Sequence, residues 1–168
     1  MKITNLNTKL IKNNQLLYLK KALLTIFKYH KYKKTILFIG NFSKEKNLIT
    51  NNRFKNNHIF LSESNWVYGM ITNKKSFIKS LRKKNDKRLK DYELQKFLIK
   101  RKKPDLIVIL NSIHRNDILK ESSKLKIPTI ALTNNFYNDA ILYPIKMKEE
   151  MKSCDIIFYL LNSILKKK

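Results

Sequence analysis

The sequence PDLIVILNSIHRNDILKESSKLKIPTIALT, residues 104–133, decides the fold class. It contains two continuous apolar runs, Asp105–Asn111 and Pro128–Thr133, and a proline stands at the opening of each. Such runs are typical of strands that are buried on both faces of a parallel sheet. Between them, residues 113–127 place apolar side chains near helical spacing, at Ile118, Leu119 and Leu125. A strand, a helix and a second strand in this order predict a right-handed crossover, so we expect the two strands to be parallel.

Two more strands are predicted upstream of this unit. Thr35–Gly40 is a third continuous apolar run, bounded by a pair of lysines and a glycine, and His58–Ser62 is a short fourth. Apolar spacing and the lack of Pro and Gly predict helices over Asn14–Lys33, Ser43–Asn52 and Asp155–Leu165. The alternation of strands and helices predicts an α/β fold, with helices on both faces of a parallel sheet.

The charge of the chain points to a polyanionic partner. The 168 residues include 37 Lys or Arg and 12 Asp or Glu, which gives a formal charge of +25 at pH 7. Codon usage in an A+T-rich genome explains part of the lysine excess, but it does not explain the shortage of Glu. A globule with this charge repels itself, and we expect a nucleic acid to offset the repulsion. The length predicts one domain, residues 1–168.

Residue counts exclude several kinds of site. With glycines only at Gly40 and Gly69, neither the P-loop nor the dinucleotide-binding glycine motif can form. Cys154 is the one cysteine, so a disulfide within the chain and a cysteine zinc site are excluded, and we expect it to be buried. The histidines are too dispersed for a metal motif in sequence, which leaves open only a cluster formed in space: His30, His58 and His114. No apolar run reaches the roughly 18 residues that span a bilayer. We expect no cofactor, no bound metal, no membrane partner and no small-molecule substrate.

One segment, Lys79–Lys103, interrupts the α/β pattern with a dense run of basic residues. It has no Pro or Gly, which predicts helix, with a possible hairpin turn near Asn85 and Asp86. A charged, solvated helix face is the ordinary explanation of such a run. Here nearly all of the charge has one sign, and like charges four residues apart destabilise an isolated helix. We therefore expect an anion, such as RNA, to neutralise this segment.

Residues 66–73, WVYGMITN, and the basic stretch KKSFIKSLR that follows over residues 74–82 are the most distinctive part of the chain. They resemble the Trp-Leu-Gly-Gly-x-Leu-Thr-Asn signature and trailing basic helix of the universal small-subunit ribosomal protein two family. Further segments are similar to blocks of that family in the same order and spacing: Ile3–Leu6, Thr35–Gly40, Lys103–Leu110, His114, Lys120 with Glu121, and Lys126–Leu132. The resemblance covers nearly the whole chain.

The chain also departs from the family pattern. The N-terminal Gly-His-Phe-Gly-His segment is missing, and Tyr68 stands where the signature has its first glycine. Only Thr133–Asn138 corresponds to the Asp-Thr-Asn-x-Asp-Pro loop, the helical insertion is cut to about residues 83–102, and Tyr143–Ile145 lacks the Gly-Asn-Asp that usually follows. The reduction, the enrichment in Lys, Asn and Ile and the absence of an Arg-rich leader favour a gene in an organelle genome. We expect a mitochondrial protein, with a plastid-type organelle as the alternative.

The resemblance implies a structural protein of the small ribosomal subunit, with no enzymatic activity. It implies a flavodoxin-like domain with a shortened basic helical arm, residues 79–103, that binds small-subunit rRNA near the junction of head and body. The partners that it implies are this rRNA and neighbouring small-subunit ribosomal proteins.

The basic residues around the signature are the predicted RNA-binding site. Lys and Arg neutralise phosphates, and folded RNA is bound largely through its backbone and shape. Trp66 is either a stacking partner for a base or a packed anchor; Asn73 joins the set and, like Thr72, is a candidate helix cap. His114 either bonds locally at a strand end or contacts RNA. The remaining members are Lys74, Lys75, Lys79, Arg82, Lys83, Lys84, Lys87, Arg88 and Lys90.

Two other functions remain open. A free RNA-binding or processing factor would share the basic surface, and its abundance relative to rRNA would separate it from a ribosomal protein. An α/β enzyme is the least favoured function. Ser112, His114 and Asp117 follow a predicted strand, but their sequence spacing gives no reason for a catalytic geometry.

Overall fold

The computed structural model describes residues 2–40, 58–83, 86–100, 102–110, 114–132, 141, 143–145 and 154–165. Its strands are β1 (Ile36–Gly40), β2 (Ile59–Ser62), β3 (Leu106–Leu110), β4 (Thr129–Leu132) and β5 (Tyr143–Ile145). Its helices are α1 (Lys2–Lys31), α2 (Lys74–Lys83), α3 (Tyr92–Ile99), α4 (Arg115–Lys124) and α5 (Cys154–Leu165). Two short 3-10 turns cover Glu63–Asn65 and Lys87–Lys90. The predicted helix Ser43–Asn52 lies outside the described residues.

The strands form one parallel sheet in the order β2-β1-β3-β4-β5. This is the flavodoxin-like order, in which the direction of winding reverses between β1 and β3. The four predicted strands are present, and the α/β prediction is confirmed. The sheet has one strand that the sequence patterns did not predict, β5, which pairs with β4 through Ile130 and Tyr143.

Both faces of the sheet are covered, because successive strand side chains point to opposite sides. Every residue of β1 and of β3 is buried. The odd-numbered residues of both strands pack with Met70, Phe77, Leu94 and Ile118. The even-numbered residues pack with Ala22 and Ile26 of α1 and Leu161 of α5. Helices α2, α3 and α4 therefore lie on one face, and α1 and α5 lie on the other. The prediction that helices cover both faces is confirmed.

The central strands β1 and β3 approach each other closely at two points. The carboxylate of Asp105 accepts a hydrogen bond from the Thr35 backbone N–H at 2.8 Å, and the Asp105 N–H donates to the Thr35 carbonyl, also at 2.8 Å. At the other end, a Cβ on Gly40 would lie 2.1 Å from the carbonyl oxygen of Leu110. The backbone of β3 thus leaves no room for a side chain at Gly40.

Helix α1 is longer than predicted. It begins at Lys2 rather than Asn14, because neither Pro nor Gly interrupts it before its end at Lys31. The chain then leaves the helix through Lys33, whose positive φ of 55° closes a Schellman motif with bonds from the Lys33 N–H to the His30 carbonyl and from the Lys34 N–H to the Tyr29 carbonyl. A lysine therefore holds the left-handed position that usually belongs to glycine.

Helix α4 ends in the same way. Lys126 has a φ of 54°, and its N–H donates to the Ser123 carbonyl while the Ile127 N–H donates to the Ser122 carbonyl. This bond pattern is again a Schellman motif, with lysine at the left-handed position. The ends of α1 and α4 thus each carry a conformation that costs a residue with a Cβ about 1–2 kcal/mol.

Helix α3 covers the edge of the sheet at β2. The Phe60 backbone N–H of this strand donates to the carboxylate of Glu93 at 3.0 Å, and Nζ of Lys96 donates to the His58 carbonyl at 2.6 Å. These side chains satisfy backbone groups that an edge strand leaves without a partner strand. They also fix α3 in place, and with it the basic helix α2 that precedes it.

Candidate RNA interface

Helix α2 separates its basic residues from its apolar residues. Four exposed basic side chains, each three or four residues from another, form what we call the basic face: Lys75, Lys79, Arg82 and Lys83. Phe77 and Leu81 are buried in the core on the other side of the helix. Residues three and four apart share one side of a helix, so the packing of Phe77 and Leu81 turns the basic face outward.

Helix α2 ends at Lys83 and α3 begins at Tyr92, so the predicted helical segment 79–103 is interrupted close to Asp86. Asp86 opens the 3-10 turn Lys87–Lys90, and Asp91 caps α3 by accepting from the Leu94 N–H at 2.9 Å. Lys87 and Lys90 are exposed. Asn85 and the predicted RNA-binding residue Lys84 lie outside the described residues.

Arg88 has an acidic partner in this turn. Its Nη2 lies 2.7 Å from Oδ2 of Asp86, its Nε lies 3.1 Å from both carboxylate oxygens, and its backbone N–H donates to Oδ1 at 2.9 Å. The hydrogen bonds to Asp86 raise the pKa of Arg88 above its ordinary value. Because its charge is already offset locally, Arg88 is a weaker candidate for a phosphate contact than the exposed lysines on either side of it.

Lys74 points into the protein rather than toward solvent. Its Nζ donates to the carbonyls of Phe97 and Lys100, which end α3, and lies 4.3 Å from the centre of the Phe97 ring. Burial, and then the charge of Lys100, lower the pKa of Lys74 to about 8. The inclusion of Lys74 among the phosphate contacts is therefore corrected: it ties the start of α2 to the end of α3. Its position explains this, because Lys74 lies three, four and seven residues before Phe77, Ile78 and Leu81.

The loop that enters α2, residues 66–73, is held by a single buried carboxylate. Glu121 of α4 is fully buried, and its Oε1 accepts from the Gly69 N–H at 2.7 Å. Its Oε2 accepts from the N–H groups of Ile71 and Thr72, each at 2.9 Å, and from the Thr72 hydroxyl at 3.2 Å. Gly69 has a φ of +89°, a conformation that favours glycine. The loop thus has a defined shape at the start of the basic helix.

Comparison with protein-family models identifies the family to which the chain belongs. The family model described as ribosomal protein S2 matches residues 5–166, which is nearly the whole chain. The chain belongs to the ribosomal protein S2 family. This is a family of structural proteins of the small ribosomal subunit and not a family of enzymes. Its members act in translation, on the ribosome, with rRNA and other small-subunit proteins as partners. No curated protein matches the chain in a direct comparison.

The tryptophan of the S2-like signature is a packed residue. Trp66 is 3% exposed and lies in the core cluster with Ile39, Leu61 and Met70. Its ring offers no free face to a base, so its inclusion among the RNA-binding residues is corrected, and the packed-anchor alternative is the one that the structure has. Its Nε1 has no hydrogen-bond partner among the residues that the structure describes.

Asn73 and His114 lie at the starts of two helices of this S2 family member. Asn73 is exposed at the entry to α2, and its carbonyl accepts from the Phe77 N–H at 3.1 Å. The predicted capping role of Thr72 is not observed, since its hydroxyl donates to Glu121. His114 is partly exposed and directly precedes α4, where its side chain makes no capping bond. Ser112 lies outside the described residues.

Two of the dispersed histidines meet in space. The Ile36 N–H donates to Nδ1 of His58 at 3.4 Å, so Nε2 of His58 carries the ring proton and donates to Nδ1 of His30 at 2.8 Å. Burial, the His30 ring and the charges of Lys100 and Lys96 lower the pKa of His58 to about 3. Within the described part of the chain, no group of three or more metal-ligating side chains occurs. Nor is any described helix long and apolar enough to span a bilayer.

The sequence patterns did not identify Glu121 as the residue that shapes the site. One signal was available: Glu121 lies three residues after Ile118 and two after Leu119, on the side of α4 that faces the core. A carboxylate on such a face requires hydrogen-bond donors, because a buried charge without partners is strongly unfavourable. The donors are three backbone N–H groups and the Thr72 hydroxyl of a distant loop, and the sequence alone does not identify them.

Proposed function

We propose that this chain is a structural constituent of the small subunit of an organelle ribosome, and that it binds small-subunit rRNA through the basic face of α2 and the adjacent turn. The observation that carries the proposal is the orientation of α2. Its apolar side chains are fixed in the core, so Lys75, Lys79, Arg82 and Lys83 are all presented to solvent together. Lys87 and Lys90 extend the same positive charge into the turn.

The chemistry of this surface suits a polyphosphate backbone. Lysines provide positive charge without the fixed geometry needed to read bases, so we expect positioning on the RNA rather than sequence recognition. Asn73 and His114 are further proposed contacts, because both are accessible at helix starts, where backbone N–H groups favour anions. We place the contact near the head–body junction, and we treat residues 1–168 as one domain that contains a basic helical insertion at 79–103.

The organelle assignment rests on the sequence. Enrichment in Lys, Asn and Ile, together with a shortened insertion, supports an A+T-rich organelle genome. We favour the mitochondrion over a plastid-type organelle. Fractionation of cells followed by mass spectrometry of the purified organelles tests it. Recovery of the chain with cytosolic ribosomes would contradict the assignment while leaving its place in the small subunit intact.

The ribosomal role is tested by sedimentation of lysate through a sucrose gradient at high salt. We expect the chain to migrate with the small subunit at about one copy for each rRNA. A chain that stays at the top of the gradient, or that is present at far less than one copy, would instead indicate a free RNA-binding or processing factor.

The basic face is tested with two variants of equal charge. In the first, Lys75, Lys79, Arg82 and Lys83 become Gln. In the second, four exposed lysines of α1 become Gln: Lys20, Lys21, Lys28 and Lys31. Removing one phosphate contact should flatten the slope of log affinity against log salt by roughly 0.7–0.9. We expect the slope to flatten by about three in the α2 variant and much less in the α1 variant. Equal changes would mean that net charge, and not the basic face, controls binding.

A further inference from the structure

Tyr68 is an exposed aromatic residue in the loop that leads to the basic face. Its side chain is 51% exposed, whereas Trp66 and Met70 on either side of it are buried. Tyr68 stands where the signature that residues 66–73 resemble has its first glycine, so the resemblance does not account for an aromatic ring here. Burial in the protein does not account for an aromatic ring that is half in solvent beside a buried tryptophan.

The backbone that carries Tyr68 is held in a fixed position. The residue that follows it, Gly69, donates its N–H to Glu121 at 2.7 Å, and two further loop N–H groups donate to the same carboxylate. Because Glu121 is fully buried in the core, the loop is attached to α4 at a defined place. A ring that is already positioned loses less conformational entropy when a ligand stacks on it.

A lysine from the same helix lies beside the ring. Lys124 is one turn after Glu121 on α4, and its Nζ lies 3.4 Å from the Tyr68 hydroxyl and 6.0 Å from the centre of the ring. The ammonium therefore stands at the hydroxyl edge of the ring rather than over its centre. Lys120, which lies one helical turn before Lys124, is also exposed. An aromatic surface and positive charge thus occur side by side.

We propose that Tyr68 and Lys124 form a stacking platform for one unpaired nucleotide of the small-subunit rRNA. The base stacks on the exposed ring of Tyr68, and the ammonium of Lys124 pairs with a neighbouring phosphate. Single-stranded RNA is commonly bound by aromatic rings beside cationic side chains, and stacking tolerates any base. The net charge of +25 favours this occupant over an apolar protein partner. The proposal rests on the rRNA-binding function and adds to it a contact outside the basic face.

Salt dependence distinguishes this contact from the lysine contacts. Stacking releases no counterions, so its removal lowers affinity at every salt concentration without changing the slope. The test measures binding of the full chain to transcribed small-subunit rRNA of its own genome over a range of salt. The variants are Tyr68→Ala, Tyr68→Phe and Lys124→Gln. The control is Tyr32→Ala, because Tyr32 is 71% exposed and follows α1, the helix that packs on the opposite face of the sheet. Thermal unfolding of each variant verifies its folding.

We expect Tyr68→Ala to weaken binding by roughly 5- to 150-fold with an unchanged slope, since a stacked base contributes about 1–3 kcal/mol. Tyr68→Phe and Tyr32→Ala should bind like the parent chain, and Lys124→Gln should flatten the slope by roughly 0.7–0.9. If the Tyr68→Ala variant folds and binds rRNA as tightly as the parent chain, the stacking platform is overturned. If that variant were also absent from assembled subunits, the partner of Tyr68 would be a protein. Failure of the parent chain to bind rRNA would overturn the proposed function itself.

Discussion

Glu121 should control both the stability of the chain and the shape of its proposed RNA-binding loop. In the Glu121→Ala variant, the N–H groups of Gly69, Ile71 and Thr72 lose the acceptor that they share. A buried backbone donor without an acceptor costs about 1–3 kcal/mol. Three such groups predict a loss of at least about 3 kcal/mol, which is a large fraction of the roughly 5–15 kcal/mol that is typical of a whole domain.

The Glu121→Gln variant separates hydrogen bonding from the volume of the side chain. The amide oxygen can replace Oε2, which accepts three of the four bonds, but the NH₂ group then faces the Gly69 N–H, and two donors oppose each other. We expect a loss of about 1–3 kcal/mol for Gln, between those of the parent chain and the Ala variant. Lys120→Ala is the matched control, because Lys120 is exposed on the same helix and should change stability by less than about 0.5 kcal/mol.

Urea unfolding followed by circular dichroism measures these differences. The reasoning is refuted if Glu121→Ala loses less than about 1 kcal/mol, or if Gln and Ala are equally destabilising. The first result would mean that water or another group satisfies the loop donors. The second would mean that packing volume, rather than hydrogen bonding, is what Glu121 contributes.

Four further predictions concern single positions. The free energy of unfolding should fall as pH drops from 6.5 toward 3, by up to about 1.4 kcal/mol per pH unit. The reason is that the pKa of His58 is lowered to about 3 in the folded chain, so the unfolded chain takes up the proton first. Urea unfolding across this pH range measures the effect, and His58→Asn should make stability depend less steeply on pH. Gly40→Ala should destabilise by about 1–3 kcal/mol in thermal unfolding, since a Cβ meets the β3 backbone. Lys126→Gly should stabilise by about 1 kcal/mol while Lys126→Ala does not, because only glycine relieves the positive φ. Lys74→Met should lower stability by about 1 kcal/mol and leave the salt slope of RNA binding unchanged. Lys75→Met should leave stability unchanged and flatten the salt slope.

The sheet was predictable because its strands are buried on both faces. Thr35–Gly40 and Asp105–Asn111 each supply five buried residues in succession, and few other environments favour such runs. The strand β5 could not be predicted in the same way. It is three residues long, contains Pro144 and pairs with only one neighbour, so its sequence carries little strand signal.

The contacts within the site were much less predictable than the fold. The meeting of His30 with His58, and of Glu121 with the 66–73 loop, joins residues that are far apart in sequence, and the order of the strands determines both. A single sequence indicates which side chains require hydrogen-bond partners, but it does not identify the residues that supply them. The role of Tyr68 was missed for a related reason, since exposure depends on how the neighbouring residues pack.

Lys74 and Lys75 show why density of charge alone does not define an RNA-binding surface. The two residues are identical and adjacent, yet one is half-buried against the end of α3 and the other is exposed on the basic face. The apolar residues of α2 decide this difference, because Phe77 and Leu81 fix the rotation of the helix against the core. A lysine-rich helix therefore contains both half-buried and exposed lysines. The helical spacing of its few apolar residues decides which lysines are exposed. We propose the exposed lysines, together with the loop that Glu121 holds, as the surface that contacts rRNA.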